Sequence, residues 1–258
     1  MKDWNPELYS RFEAERTRPA QELLARVFLD RPAHVLDLGC GPGNSTELLA
    51  ERYPSARITG IDTSEAMLES ARLRLPGCTF EQGDIATWRP AVAPDLIYAN
   101  ASLQWVPDHA TLFPRLMSSI APGGVLAIQM PDNRNEPSHS TMREVAAAGS
   151  WAQAIGDAAS VRVKVQPLTD YYDMIAPLAA GIDVWRCIYH HQMPSAQAIV
   201  DWVRGTGLKP FVERLPAGQQ AAFIEMYLQR IDAAYPPQTD GLRLLKFPRM
   251  FIVARRAK

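Results

Sequence analysis

The segment with the strongest chemical signal is VLDLGCGPGNST, which covers residues 35–46. A run of apolar residues leads into glycines at 39, 41 and 43, and a helical pattern begins directly after them. Glycine lets a backbone turn tightly and approach a bound molecule without a Cβ in the way. The spacing therefore predicts a loop between a strand and a helix, with Gly39, Gly41 and Gly43 as cofactor-binding residues.

The glycine spacing departs from the dinucleotide fingerprint G-x-G-x-x-G. After Gly39 and Gly41 that fingerprint needs a glycine at position 44, where this sequence has Asn44. The departure disfavours NAD and FAD. A nucleotide-binding oxidoreductase stays open as an alternative that a titration with nicotinamide cofactor would test.

Three acidic residues follow or end predicted strands near this loop. Asp37 lies in the first strand, Asp62 ends the second strand and Asp84 follows the third. Ligands of open α/β sheets bind at the carboxyl ends of parallel strands, so these carboxylates are expected to gather there. Asp62 is placed to accept hydrogen bonds from two ribose hydroxyls and Asp84 to meet an adenine amino group. The pattern predicts a pocket for an adenosine-containing cofactor.

The elements that must position these residues alternate between strand and helix from residue 33 to residue 132. Strands are predicted at 34–38, 57–62, 79–81, 95–99 and 125–130, with helices at 45–53, from the cap Thr63-Ser64 to 75, and at 108–120. Nearly continuous apolar strands that alternate with helices are typical of a parallel sheet covered on both faces. The predicted fold class is α/β, with a doubly wound, mostly parallel sheet.

Outside this core the pattern is more varied. Tyr9, Phe12 and Arg16 share one face of an N-terminal helix, and Pro19 opens a second helix. Residues 136–182 are predicted as helices with loops, followed by a strand at 183–191, helices at 195–204 and 217–234, and a last strand at 242–255. Pro248 indicates an edge position or a bulge for that last strand.

The domain organisation predicted from these patterns is one domain over residues 1–258. Its parts are an N-terminal helical cap (1–30), a cofactor-binding core (33–131), a helical insertion on the substrate side (132–182) and the last strands and helices (183–258).

Composition excludes several classes of partner. The 27 basic and 28 acidic residues give a net charge of -1, so no basic field exists to hold nucleic acid. No apolar run reaches the roughly 18 residues of a membrane span, and the N-terminus is too polar for a signal peptide. Three cysteines without C-x-x-C spacing are typical of reduced intracellular thiols. We expect a soluble, cytoplasmic protein, with a monomer as the working expectation.

The core motifs resemble those of class I S-adenosylmethionine-dependent methyltransferases. The matching pieces are the DLGCGPG loop, Asp62, the GDI segment at 83–85, DLIYAN at 95–100 and the PGG turn at 122–124. The resemblance implies seven strands in the order 3-2-1-4-5-7-6, with the last strand antiparallel. It also places Gly39, Asp62, Asp84, Ile85 and Asn100 around S-adenosylmethionine. Trp105 follows the fourth strand and is expected to offer an aromatic face to the sulfonium cation.

Segments over nearly the whole chain, many of them outside the cofactor motif, resemble the trans-aconitate 2-methyltransferase family. They include DWNP at 3–6, AERTRP at 14–19, YANASLQW at 98–105, QMPDN at 129–133, YHHQMPS at 189–195 and FPRMFIVARR at 247–256. The resemblance implies transfer of a methyl group to a carboxylate of trans-aconitate, which gives the monomethyl ester and S-adenosylhomocysteine. A tricarboxylic acid is therefore the expected small-molecule partner.

A carboxylate acceptor needs no general base, because it is already an anion at neutral pH. We therefore expect no catalytic residue in the usual sense, and a mechanism of positioning in which arginines hold the carboxylates that do not react. The insertion and its surroundings are rich in groups of this kind: Arg134, His139, Arg143, Tyr171, Tyr172, Arg186, His190 and His191. The predicted substrate-binding residues are Tyr9, Arg16, Arg134, His139, Arg186 and His190.

Other interpretations of the site and of the activity remain open. His190-His191 lacks a third ligand at a convincing spacing, so no metal is expected. Asn100 is followed by Ala-Ser rather than by the proline-rich turn of methyltransferases that act on DNA bases or protein amides. A methyltransferase for another small acid or a quinone-like acceptor, and a cofactor-binding protein without turnover, are alternatives that a panel of acids would separate.

Overall fold

The computed structural model describes residues 13–258, apart from the side chains at positions 13, 14 and 16. The chain forms two compact units. Unit 1 consists of the described residues up to Pro131, Gln166–Cys187 and Met250–Lys258, and unit 2 consists of Asp132–Val165 and Ile188–Arg249. The segment predicted as one insertion, 132–182, is thus divided between the two units. Tyr9 and the side chain of Arg16 lie outside the described residues.

A seven-stranded sheet is the main feature of the fold, in the order β3-β2-β1-β4-β5-β7-β6. Its strands are β1 (His34–Leu38), β2 (Arg57–Asp62), β3 (Thr79–Gln82), β4 (Leu96–Asn100), β5 (Val125–Pro131), β6 (Ala179–Met193) and β7 (Arg243–Arg256). The pairs β1–β2, β1–β4, β2–β3 and β4–β5 are parallel. The predicted α/β class and the predicted strand order are confirmed.

The last strand, β7, runs antiparallel to β5. Arg256 exchanges backbone hydrogen bonds with Gly123 and Gly124 before β5, whereas the Pro248 carbonyl accepts from the N–H of Asp132 after β5. The prediction of an edge position for this strand was wrong, because β7 lies between β5 and β6. In an antiparallel pair the N–H and the carbonyl of one residue point to the same neighbouring strand, so the N–H that Pro248 lacks would point toward the chain of β5. Opposite Pro248, however, β5 has already ended. Pro248 therefore removes no hydrogen bond from the ladder between β7 and β5.

Ten α-helices lie in the described part of the chain. They are α1 (Glu13–Leu24), α2 (Asn44–Arg52), α3 (Glu65–Arg74), α4 (His109–Ser119), α5 (Pro137–Ala147), α6 (Ala152–Ile155), α7 (Leu168–Ile175), α8 (Ala196–Arg204), α9 (Lys209–Val212) and α10 (Ala217–Ala234). Ser64 caps α3 as predicted, and Ser195 caps α8 in the same way; each hydroxyl accepts a hydrogen bond from a backbone N–H. Pro19 lies inside α1, so the predicted helix start at this residue was wrong.

The core of unit 1 forms around the central strands. Val35 and Leu38 of β1, Tyr98 of β4 and Ile128 of β5 are at most 1% exposed. Strands buried on both faces must be apolar almost throughout, which is why they read as continuous hydrophobic runs. The Tyr98 hydroxyl donates to the carbonyl of Ala20 at 2.5 Å, which fastens α1 to the sheet.

Unit 2 is organised by the packing of α5 on α10. The hydroxyl of Tyr227 donates to the carbonyl of Ser138 at 2.6 Å, and the hydroxyl of Tyr235 accepts from the N–H of Ser138 at 3.0 Å. Both tyrosines are buried. These bonds fix the first turn of α5, where the backbone N–H groups of a helix have no intrahelical partners. No helix between residues 13 and 258 is long and apolar enough to span a membrane.

Candidate active site

The glycine loop turns from β1 into α2 with three left-handed residues. Gly39, Gly41 and Gly43 have φ values of +73°, +54° and +94°. A Cβ on Gly39 would overlap the Cβ of Ser102, whereas the space around Gly41 is open. Protein atoms therefore fill the space beside Gly39, whereas the space beside Gly41 is open, as the approach of a ligand to the loop requires.

Asp62 at the end of β2 is tied directly to this loop. Its Oδ2 accepts from the N–H of Gly41 at 2.9 Å, and its Oδ1 accepts from the N–H of Ser64 at 3.0 Å. The side chain is partly exposed. A carboxylate held by two backbone donors keeps a fixed orientation and still has lone pairs for further hydroxyl donors.

Asp37 has a different environment from the other two acidic residues. It is 0% exposed, and its Oδ2 accepts from the hydroxyls of Ser45 and Thr46, both at 2.7 Å. Burial raises the pKa of Asp37 to about 6, although the hydroxyls of Thr46 and Ser45 lower it and the charge of Asp62 raises it further. These contacts join β1 to α2, so Asp37 supports the loop from behind; the predicted direct contact with a cofactor would need an exposed atom.

Cys40 in the loop is 3% exposed. Burial, with the charges of Asp37 and Asp62, raises the pKa of its thiol well above the usual range. The thiol packs with Leu68, Ala71 and Phe80. Cys40 is thus a small buried residue of the loop, and it does not supply a thiolate nucleophile.

The segment after β3 forms a second rigid turn beside β2. The Gly83 N–H donates to the carbonyl of Asp62 at 2.9 Å, and Asp84 Oδ1 accepts from the N–H of Ala86 at 2.8 Å. Ile85 is 8% exposed, whereas the Asp84 side chain is exposed. Arg115 of α4 donates to the carbonyl of Ile85 at 2.6 Å. An apolar wall and an acidic acceptor therefore lie next to each other on a fixed backbone.

The end of β4 carries two buried acceptors. Asn100 Oδ1 and Gln104 Oε1 are buried and have no hydrogen-bond partner among the described residues. Between them, Ala101 adopts φ +54°, a left-handed conformation that is strained for a residue with a Cβ. Trp105 follows in a short 3-10 helix (Leu103–Trp105) and is partly exposed. Orphaned acceptors and backbone strain of this kind concentrate at binding sites.

A buried relay that sequence reasoning missed holds this segment in place. His109 Nε2 lies 2.9 Å from the carbonyl oxygen of Leu103, and His109 Nδ1 lies 2.7 Å from the hydroxyl of Tyr171. A carbonyl only accepts, so Nε2 carries a proton; in the neutral imidazole Nδ1 is then the acceptor, and the hydroxyl of Tyr171 donates to it. That hydroxyl also accepts from the N–H of Gln166 at 3.0 Å. Tyr171, counted among the anion-recognising groups, is 0% exposed and serves this relay instead.

The residues predicted to hold the acceptor lie in different parts of the structure. Arg134 precedes α5, and His139 lies within α5, both in unit 2. Arg186 and His190 occupy the exposed face of β6, which is one of the two edge strands of the sheet. The role of all four residues in binding the acceptor stays a prediction. Within residues 13–258, no three His, Cys, Asp or Glu side chains form a metal-ligand group.

Comparison with known proteins identifies the class of this arrangement. Residues 35–124, which include the glycine loop and Asp62, match the family model described as a methyltransferase domain. The structure is similar to that of the YcgJ protein from Bacillus subtilis, with a TM-score of 0.61 and 12% identity over 93% of this chain and 99% of that chain. The fold and the loop thus define a methyltransferase domain.

Full-length relatives define the family more closely. The chain is 66% identical to trans-aconitate 2-methyltransferase from Paracidovorax citrulli over 100% of both chains. It is 58% identical to trans-aconitate 2-methyltransferase from Yersinia pestis over 98% of both. The chain belongs to the trans-aconitate 2-methyltransferase family.

Proposed function

We propose that this protein transfers a methyl group from S-adenosylmethionine to a carboxylate of trans-aconitate. The products are the monomethyl ester and S-adenosylhomocysteine. The observation that carries the proposal is the extent of the family likeness: 66% identity spans the whole chain and so includes unit 2 as well as the methyltransferase domain. A shared cofactor loop alone would leave the acceptor open.

The residues of unit 1 fit the proposed cofactor. Asp62 offers fixed carboxylate oxygens to the two ribose hydroxyls, and the exposed Asp84 with Ile85 suits the polar edge and the apolar face of an adenine. The orphaned Oδ1 of Asn100 suits an ammonium donor, such as the amino group of the methionine part. The full proposed set is Gly39, Gly41, Gly43, Asp62, Asp84, Ile85, Asn100 and Trp105, with Asp37 as support for the loop.

The proposed reaction requires the protein to position the two reactants and does not require it to transfer a proton. When bound, S-adenosylmethionine supplies a methyl group on a positively charged sulfur. A carboxylic acid with a pKa near 4 is an anion at neutral pH, so its oxygen can attack without a general base. Holding two reactants at near-attack distance contributes roughly 7 to 11 kcal/mol to catalysis.

The chain's own residues supply this placement. The relay through His109 and Tyr171 fixes the carbonyl of Leu103 and with it the 3-10 helix that carries Trp105. Asp62 fixes the glycine loop through Gly41. Because oppositely charged reactants lose charge as they react, a site that excludes bulk water favours the transition state.

Several further properties belong to the same proposal. We infer a cytoplasmic enzyme that acts on a small molecule as a monomer and without a metal, nucleic acid or membrane partner. The balanced charge of -1 supports the exclusion of nucleic acid. The three free cysteines support a reducing compartment.

The proposal is tested by a panel of acceptors with the purified full-length protein. Trans-aconitate, citrate, isocitrate and a quinone-like acceptor are each incubated with S-adenosylmethionine, and S-adenosylhomocysteine is quantified. We expect the highest kcat/KM with trans-aconitate. A higher value with another acid would assign a different acceptor, and cofactor binding without product from any acceptor would indicate a binding protein.

A further inference from the structure

A single helical turn, residues 84–88, follows β3 and carries the two residues that the proposed function assigns to the adenine. The carbonyl of Asp84 accepts from the N–H of Trp88 at 2.7 Å, which is the hydrogen bond of one α-helical turn. Oδ1 of Asp84 also accepts from the N–H of Ala86 at 2.8 Å. The 84–88 turn is thus closed by its own bonds, with Asp84 and Ile85 at its start.

The start of the 84–88 turn is fastened to β2. The N–H of Gly83 donates to the carbonyl of Asp62 at 2.9 Å. A Cβ on Gly83 would lie 2.7 Å from Cδ1 of Trp88, so the indole packs directly on the backbone before the turn. The last carbonyls of a helical segment have no partners within it, so the end of the turn needs donors from elsewhere.

Arg115 of α4 supplies those donors. Its Nη2 donates to the carbonyls of Ile85 at 2.6 Å and of Ala86 at 3.2 Å, and its Nη1 donates to the carbonyl of Trp88 at 3.1 Å. A cation is favourable at the C-terminal end of a helical segment, where the carbonyl dipoles converge. One guanidinium therefore joins the end of the turn to a helix that lies 27 to 30 residues further along the chain.

The helix that carries Arg115 is anchored away from the 84–88 turn. Its first residue, His109, contacts the carbonyl of Leu103 at 2.9 Å. Four of its apolar side chains are buried: Leu112, Phe113, Leu116 and Met117. Close-packed interiors deform little, so α4 offers a rigid support. Arg115 therefore fixes the turn relative to the core of unit 1.

We propose that Arg115 is a positioning residue that makes the cofactor site selective for adenine. By holding the carbonyls at the end of the 84–88 turn, it keeps the carboxylate of Asp84 at the 6-amino group and Ile85 against the ring. Arg115 acts through the backbone and needs no contact with the ligand. The inference rests on the proposed function, which assigns Asp84 and Ile85 to the adenine, and it adds the residue that sets their position.

The selectivity follows from the hydrogen-bonding capacity of a carboxylate, which accepts and does not donate. The 6-amino group of adenine donates to it, whereas S-inosylhomocysteine has an oxo group at this position and leaves Asp84 without that donor. A site built around a placed polar group rejects an analogue that cannot pair with it. The ratio of the two affinities therefore reports where Asp84 lies, and a general loss of stability does not change this ratio.

The test is equilibrium titration of the full-length protein with S-adenosylhomocysteine and with S-inosylhomocysteine. The wild type is expected to prefer S-adenosylhomocysteine about 10- to 100-fold, as a charge-assisted hydrogen bond allows. Arg115→Gln should weaken S-adenosylhomocysteine binding and reduce this preference by about three-fold or more. Arg115→Lys should retain part of the preference, because an ammonium group keeps the charge but lacks the planar fork of donors.

Arg89→Gln is the matched control. Arg89 is exposed, and its Nη1 donates to the carbonyls of Thr87 at 2.7 Å and of Trp88 at 2.9 Å. It thus contacts the same turn from the next residue of the chain and does not join the turn to α4. We expect its preference for S-adenosylhomocysteine to change less than about three-fold.

A double-mutant cycle tests whether Arg115 acts through Asp84. Asp84→Ala removes the carboxylate, so Arg115→Gln should then reduce S-adenosylhomocysteine affinity by a smaller factor than it does in the wild type. Thermal melting verifies that each variant is folded. If Arg115→Gln does not fold, Arg115→Lys decides: a reduced preference supports the inference, and a preference equal to that of the wild type overturns it.

The outcomes separate this inference from the proposed function. The inference is overturned if folded Arg115→Gln keeps the preference, if Arg89→Gln loses as much of it, or if Arg115→Gln has the same effect with and without Asp84. Methyl transfer to trans-aconitate is untouched by these results. A wild type that binds both compounds equally overturns the inference and removes Asp84 from the proposed adenine site. A wild type that is selective for adenine but methylates no trans-aconitate overturns the proposed function alone.

Discussion

The N–H of Gly41 donates to Oδ2 of Asp62 at 2.9 Å, so the second glycine of the loop is held by the carboxylate at the end of the neighbouring strand. One side chain thus serves two purposes: it fixes the backbone of the loop and offers lone pairs to a ligand. Loss of Asp62 removes both contributions together.

We predict that Asp62→Ala weakens S-adenosylhomocysteine binding about 100-fold or more, because two charge-assisted hydrogen bonds and the anchor of Gly41 are lost. Equilibrium titration measures the affinity. Asp173→Ala, an exposed aspartate on α7, is the control and should leave the affinity unchanged. Near-normal affinity in Asp62→Ala would refute the assignment of the pocket.

Gly39→Ala is expected to destabilise the protein more than Gly123→Ala. Both glycines have a positive φ, which costs alanine about 1 to 2 kcal/mol, but only Gly39 is pressed against Ser102. Urea denaturation gives the free energy of unfolding of each variant. In a Ser102→Gly background the extra cost of Gly39→Ala should shrink, since the overlapping Cβ is gone. Equal costs for the two alanine variants would contradict the close approach.

The buried carboxyl of Asp37 predicts a pH dependence of stability. Its pKa is raised from 3.8 to about 6 in the folded protein, so the folded state binds more protons than the unfolded state between these values. The associated stability is present below pH 3.8 and is lost as the pH rises through 6, a change of about 3 kcal/mol.

Asp37→Asn removes this titration. Its free energy of unfolding, taken relative to the wild type, should therefore increase between pH 4 and pH 7. Urea denaturation across that range provides the measurement. A difference that does not change with pH would show that Asp37 ionises as in the unfolded chain.

The relay predicts that Tyr171→Phe lowers the free energy of unfolding by about 1 to 3 kcal/mol. The variant leaves His109 Nδ1 and the N–H of Gln166 without their partner while it keeps the ring. Tyr172→Phe, on the neighbouring and 46% exposed residue, is the matched control. Equal stability of the two variants would show that the hydroxyl of Tyr171 contributes nothing.

Much of unit 1 could be predicted from the sequence because its signals are local. Apolar strands, glycines and a serine cap follow one another within a few residues, and each has one common structural meaning. Pro19 and Pro248 show where this fails. A proline marks where a backbone N–H is missing, but whether that N–H would have had a partner depends on the neighbouring elements.

Contacts between residues that are distant in the chain were harder to predict for the same reason. Arg134 donates to the carbonyl of Ala159, 25 residues further on, and no sequence spacing indicates this. His109 and Tyr171 likewise lie 62 residues apart in the chain. Burial reversed the expected role of Tyr171, which a count of polar residues cannot reveal.

The central claim is methyl transfer from S-adenosylmethionine to a carboxylate of trans-aconitate. The most direct measurement uses cofactor with a deuterated methyl group, followed by mass spectrometry of the product before and after mild base. We predict one labelled methyl on trans-aconitate, released as labelled methanol by base, with one S-adenosylhomocysteine formed per ester. A label that resists base, or that appears on no acid while the cofactor is bound, would contradict the account.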